Sequence, residues 1–138
     1  MIKTKAISSR KAAERKALHR RARKMYDAFN RGLWEKCFSL IDPELRESSR
    51  VKLSVYADQM AAFQKVYRQI KPWHIRTSLH FEKGPRGDHS RPFAYVYVVW
   101  QDHANEYHMF RERWVKHADH WYTRVAGLVA NRQNTSGK

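Results

Sequence analysis

Phe93-Ala94-Tyr95-Val96-Tyr97-Val98-Val99-Trp100, then Tyr107-His108-Met109-Phe110-Arg111-Glu112-Arg113-Trp114-Val115, then Trp121-Tyr122-Thr123-Arg124-Val125-Ala126-Gly127-Leu128-Val129 decide the fold. They are β-branched and aromatic runs of strand length, parted by short polar breaks. The first run is apolar on both faces, Phe93, Tyr95, Tyr97 and Val99 on one and Ala94, Val96, Val98 and Trp100 on the other. That is the pattern of a central strand covered on both sides. Helices upstream can cover one side, and a second copy of the chain is the natural cover for the other. A homodimer through the sheet is therefore expected.

Working outward, Trp73, Ile75, Thr77, Leu79 and Phe81 alternate with His74, Arg76, Ser78, His80 and Glu82. This is a strand with one dry and one wet face. Gly84-Pro85-Arg86-Gly87-Asp88 is a loop. Before Ile70 the spacing is helical. Ser8 or Ser9 can cap a helix running to about Asn30, whose second half carries the stripe Leu18, Ala22, Met25, Tyr26, Phe29. Leu33 to Ile41 is a short helix with Leu33, Cys37, Leu40 and Ile41 inward. Asp42-Pro43 ends it, and Pro43 opens a further helical turn. Ser54 to about Tyr67 is the last helix, with Tyr56, Met60, Phe63, Val66 and Tyr67 on one face. The expected fold class is α+β: N-terminal helices packed in the concave face of a curved antiparallel sheet of four or more strands.

Charge is the second strong signal. The 138 residues hold 28 Lys and Arg against 13 Asp and Glu. Residues 1–31 contain 11 of those cations against Glu14 and Asp27, a net of +9. The remainder holds 28 − 11 = 17 against 13 − 2 = 11, a net of +6. From Arg10 to Lys24 there are eight cations, Arg10, Lys11, Arg15, Lys16, Arg20, Arg21, Arg23 and Lys24, opposed by Glu14 alone. Like charges four residues apart, as at Lys16–Arg20 and Arg20–Lys24, repel along a helix. Phosphates would relieve that repulsion and release counterions. Residues 1–17 thus read as a basic helical arm, residues 18–130 as one folded domain and residues 131–138 as a disordered tail. An anionic partner is expected, RNA or a ribonucleoprotein before DNA. No base-reading motif accompanies the charge, so weak sequence specificity is implied.

Cys37 is the single cysteine, so no intrachain disulfide forms, which suits a reducing compartment. A packed thiol is expected of it, and a cytoplasmic location is the expectation for the chain. No run is long enough to span a membrane.

Helices followed by four antiparallel strands ending in a Trp-containing hairpin resemble the nuclear transport factor 2-like, or polyketide-cyclase-like, superfamily. The matching pieces are Tyr26-Asp27-Ala28-Phe29-Asn30-Arg31-Gly32-Leu33-Trp34 and Phe110-Arg111-Glu112-Arg113-Trp114-Val115 with Trp121-Tyr122-Thr123-Arg124-Val125. The resemblance covers about Leu18 to Val129. It implies a sheet wrapped around helices, often with an apolar pocket, and frequent dimerisation through the sheet. It implies no single activity, because that fold hosts enzymes and pure binding modules. Steroid isomerases within it carry a catalytic tyrosine on the first helix. Alignment on Ala28-Phe29-Asn30-Arg31-Gly32 puts Met25 at that place, with Tyr26 one residue off.

Glu112 is the best single candidate for chemistry. Alternation sets it with Phe110 and Trp114, and a carboxylate between aromatics can have a raised pKa and act as a base. The competing reading is a structural pair, Glu112 with Arg124. A three-residue loop His117-Ala118-Asp119 would set these two opposite each other. A two-residue turn at Ala118-Asp119 would oppose Arg113 and Arg124 instead. His103, His108, His117 and His120 flank turns with no metal-site spacing, so no metal or cofactor is expected. Tyr95, Tyr97, Trp100 and Trp121 are core or interface aromatics before they are base platforms, and Asp102 caps a turn. The functional expectation is a non-enzymatic binding or assembly module docked on its anionic partner by the basic helix. The alternative is a lyase or isomerase with an apolar pocket in the cone and Glu112 as base.

Overall fold

The helices come first in the chain and are laid across one face of the sheet that follows. The computed structural model describes residues 2–48, 51–80 and 93–124. The elements are α1 (Ile2–Asn30), α2 (Trp34–Ser39), α3 (Pro43–Glu47), α4 (Leu53–Val66), a 3-10 turn (Pro72–His74), β1 (Ile75–His80), β2 (Phe93–Gln101), β3 (Tyr107–His117) and β4 (His120–Thr123). The strands form one antiparallel sheet in the order β1-β2-β3-β4. This is the expected α+β class, helices packed against a curved sheet. Among the described residues, no helix is long and apolar enough to cross a membrane. The expected tail at 131–138, the loop at 84–88 and the strand ends at Phe81, Glu82 and Val125–Val129 lie outside the described residues.

The core forms where two periodicities meet. From α1, Leu18, Ala22, Met25, Tyr26 and Phe29 are buried, as their helical spacing requires. From the sheet, Ala94, Val96, Val98 and Trp100 of β2 and Phe110, Glu112 and Trp114 of β3 face them with strand periodicity. Aromatic rings fill the space between. Phe63 of α4 stacks on Tyr67 at 4.4 Å and meets Trp100 edge-on at 4.5 Å and Phe110 at 5.8 Å. Edge-to-face contacts of this kind suit the ring quadrupole.

The outer face of β2 is partly covered from within the chain. The guanidinium of Arg111 lies 4.5 Å over the Tyr95 ring, and that of Arg113 lies 5.0 Å over Phe93. In the register Tyr95 opposes Arg113 and Phe93 opposes Val115, so each arginine reaches the diagonal neighbour. Part of the cover expected from a second copy is therefore supplied by β3 itself.

Several boundaries differ from the sequence expectation. α1 begins at Ile2, so Ser8 and Ser9 are interior to it rather than caps; serine costs a helix interior only a few tenths of a kcal/mol, in rough terms, and Lys and Ala around them favour continuation. No break in the helix separates an arm from a body at residues 17 and 18. Leu33 sits at the N-cap of α2, exposed rather than inward. Val66, the last residue of α4, is also exposed, while Tyr67 beyond it packs on Phe63 and Trp100. Trp73 is not on the dry face of β1. Pro72 opens a 3-10 turn that ends at His74, so strand alternation begins only at Ile75 and the indole is turned to solvent.

The β3–β4 hairpin closes by a two-residue turn, with His117 opposite His120 and both Ala118 (φ 49°) and Asp119 (φ 69°) left-handed. This is the geometry of a type I′ turn, for which Asn-Gly is the favoured pair. Alanine in that region carries a steric cost on the order of 1 kcal/mol. Replacing the turn with Asn-Gly (Ala118→Asn with Asp119→Gly) should raise stability by about 1 kcal/mol and the thermal midpoint by about 3–5 °C. An unchanged or lowered midpoint in thermal unfolding would refute the turn assignment.

Candidate nucleic-acid interface

One face of α1 is core; the opposite face is charge. Lys16, Arg20, Arg23, Lys24 and Asp27 are exposed on the side of α1 away from Leu18, Ala22, Met25 and Phe29, His19 is half-buried on the flank between, and Arg15 is exposed just before Leu18. With Lys71, Pro72, Ile75 and Thr77 opposite, they line a groove of about 790 Å³. Six of the lining residues are Lys or Arg, and Asp27 is the one carboxylate among them. Asp27 already has a partner, the Arg31 guanidinium one turn on at 3.7 Å. Among the described residues none of the six cations is in an ion pair. His19 lies between them with its pKa lowered, first by burial and then by Arg23, which favours the neutral ring. From Ala12 to Asn30 the groove follows roughly 27 Å of helix.

Both walls are fixed to each other. The Asn30 side chain donates to Ile70 O at 2.7 Å and accepts from Ile70 N at 2.9 Å, joining the end of α1 to the segment carrying Lys71. Gln64 of α4 donates to Phe29 O at 3.0 Å, taking up one of the last carbonyls of α1. Further back, Glu14 pairs with Lys116 of β3.

The eight cations expected to contact the anion divide accordingly. Arg15, Lys16, Arg20, Arg23 and Lys24 line the groove. Arg10 and Lys11 are exposed before it begins. Arg21 belongs to the other side of the helix: it donates to Trp121 O at 2.9 Å, and its guanidinium lies 4.9 Å over the Tyr122 ring. The reason is rotational, since residue 21 stands three after Leu18 and four before Met25, on the flank of the core stripe. Lys71 and His19 were missed. His19 continues the charged stripe at four-residue spacing from Arg15 and Arg23, whereas nothing in the local sequence sets Lys71 beside α1.

Glu112 is buried, 1% exposed, and both its oxygens are occupied. The Tyr26 hydroxyl donates to Oε2, and Trp114 Nε1 donates to Oε1 at 3.0 Å. Burial pushes its carboxyl up to about 7, against the opposing pull of the Trp114 N–H. The expected Glu112–Arg124 pair does not form. The two-residue turn sets Arg113 opposite Arg124, whose backbone N–H donates to Arg113 O at 2.8 Å. The Arg124 side chain goes instead to Asp42 at 2.7 Å, with Glu44 at 3.7 Å. Asp42 is fully buried and caps α3 by accepting from Glu44 N at 3.3 Å.

The remaining candidates are structural. Asp102 Oδ1 accepts from Ala104 N and Glu106 N, both at 2.9 Å, and Oδ2 faces His108 Nε2 at 2.8 Å. His108 and those N–H groups hold its carboxyl below the usual range. Asp102, Glu106 and His108 approach closely enough to share a cation, but every contact named here is that of a turn cap. Trp100 and Trp121 are core residues and closed to any base. Cys37 is buried, its thiol donates weakly to Met25 O at 3.5 Å, and burial pushes its pKa up to about 12. A thiol so placed is inert.

Two outcomes test this chemistry. The folded pKa of Glu112 lies above its unfolded value of about 4.5. The folded state therefore holds the extra proton, and stability falls as pH rises from about 4.5 to about 7, by on the order of 3 kcal/mol. Glu112→Gln should flatten that part of the stability–pH curve in chemical denaturation; an unchanged slope would show that Glu112 does not titrate there. Arg124→Met strands the buried Asp42 carboxylate and should cost about 2–3 kcal/mol. Adding Asp42→Asn should recover part of it, and a double-mutant cycle with no coupling would refute the pair.

Comparison with protein-family models, with curated proteins and with solved structures found no match, so the likeness to the nuclear transport factor 2-like superfamily rests on the order of the elements and the residues quoted above.

Proposed function

We propose that this chain is a non-enzymatic nucleic-acid-binding module that holds the phosphate backbone, of RNA in the first instance, in the groove between α1 and the segment Lys71 to Thr77. The observation that carries this reading is the convergence of six cations, from two separate parts of the chain, on one groove whose sole carboxylate is already paired. A helix with its charges at four-residue spacing repels itself in water. A polyanion lying along it relieves that repulsion and gains from counterion release. A solvated face needs no second wall; here Lys71 adds charge from across the groove. Phosphate contacts of this kind position a strand without reading its bases. Dimerisation through the sheet is compatible with this reading and not required by it.

The alternative, a lyase or isomerase using Glu112 as base, has less support. A general base needs access to a substrate proton. Glu112 is shut from solvent, its oxygens are taken by Tyr26 and Trp114, and rings of Phe63, Tyr67, Trp100 and Phe110 occupy the interior beside it.

The test is the salt dependence of binding. With four to six phosphates engaged, log K for single-stranded RNA should fall with log salt at a slope of about −3 to −4. Replacing Arg15, Arg20 and Arg23 together by Gln should weaken binding at low salt and reduce the slope by about 2. Arg21→Gln, on the opposite flank, should leave the slope unchanged. Absence of salt-dependent affinity in the intact protein would sink the proposal.

A further inference from the structure

Trp73 is 73% exposed, and its two preceding neighbours, Lys71 and Pro72, line the cationic groove. An indole in water forgoes the gain of burying its apolar surface. Trp34, Trp100, Trp114 and Trp121, by contrast, are buried or half-buried. The backbone that carries the Trp73 indole is held firmly. Pro72 fixes the backbone at the start of the 3-10 turn, and the turn is closed by Lys71 N donating to His74 Nδ1 at 3.1 Å and by His74 N donating to Lys71 O at 2.9 Å. Two further rings continue from it: His74 lies 5.8 Å from Trp73 at 72°, and Tyr107 lies 6.5 Å from His74 at 72° and is 63% exposed. His74 has its pKa lowered by burial and by Lys71, which favours the neutral ring.

Resting on the groove as a phosphate track, we infer that Trp73, with His74 and Tyr107 beside it, is a base-stacking platform, so that the ligand is single-stranded nucleic acid and not a duplex. A charged groove alone does not distinguish the two. An exposed aromatic that follows directly in the chain on the lining residues Lys71 and Pro72 does, because a base is available to stack only when it is unpaired. Stacking is tolerant of sequence, since every base offers a π-face, which fits a site with no base-reading groups. An acidic protein segment would match the charge but gives no reason for exposed rings next to it. The groove contacts phosphates, and the platform takes one or two bases splayed from that backbone.

The experiment uses the intact chain and a short oligouridylate. Tryptophan emission should be quenched on titration, and most of the quenching should be lost in Trp73→Ala, because Trp100, Trp114 and Trp121 are closed to the ligand and Trp34 is half-buried. Affinity in Trp73→Ala should fall about tenfold while the slope of log K against log salt stays constant. Trp73→Phe should retain most of the affinity, since a phenyl ring also stacks. A duplex of equal length should bind more weakly and be indifferent to Trp73→Ala. Unchanged affinity and unchanged quenching in the alanine variant would overturn the platform. So would polyglutamate binding that falls equally with Trp73→Ala, which would point to an acidic protein partner. Salt-dependent binding indifferent to Trp73 would overturn the platform yet leave the groove reading standing. No salt-dependent binding at all would remove both.

Discussion

The seam between α1 and the inner face of β2 and β3 is the contact on which everything else depends. A helix has only about one third of its circumference to give to a core. On α1 that third is Leu18, Ala22, Met25, Tyr26 and Phe29, in one core cluster with Val96, Val98, Trp100 and Phe110, with Tyr26 and Phe29 edge-on to Trp100. Once that side is committed, rotation dictates the rest. Lys16, Arg20, Arg23 and Lys24 must stand away from it, Arg15 continues the line of the stripe as an exposed residue before Leu18, and Arg21 must stand at the flank, where it finds Trp121 O and the Tyr122 ring. The charge on the groove is thus oriented by burial of the other face.

The same seam contains its own polar exception. Glu112 sits in a row of aromatics because strand alternation places it there, and Tyr26 and Trp114 supply the hydrogen bonds that make its burial tolerable. With its carboxyl raised to about 7, it is partly neutral near physiological pH. Tyr26 also borders the groove, so the hydroxyl that holds Glu112 belongs to a side chain near the proposed ligand. Charge elsewhere in the interior is handled by pairing: Asp42 is compensated by Arg124, a link between the start of α3 and the end of β4.

Much of this was legible in the chain. The aromatic and β-branched runs place β2, β3 and the hairpin, since a period of two leaves little freedom about which side faces inward. The stripe from Leu18 to Phe29 gives the buried face of α1, and Phe110, Glu112 and Trp114 fall on one side of β3 as alternation requires. What failed did so at element ends. Leu33, Val66 and Trp73 match a periodic pattern, yet each lies at or just outside the residues that keep it. Periodicity carries no information about where a chain stops obeying it.

The sequence by itself determined the fold class, the two faces of α1 and the concentration of positive charge, because each depends on residues close together in the chain. Tertiary structure alone decided the partners. Whether Glu112 met Arg124 hung on one residue of turn length, and left-handed backbone at Ala118 and Asp119 settled it against the pair. Lys71 joined the charge of α1 only because Asn30 clasps the Ile70 backbone forty residues away. Contacts of that separation are selected by the free energy of the whole packed core, and no local pattern in the chain encodes them.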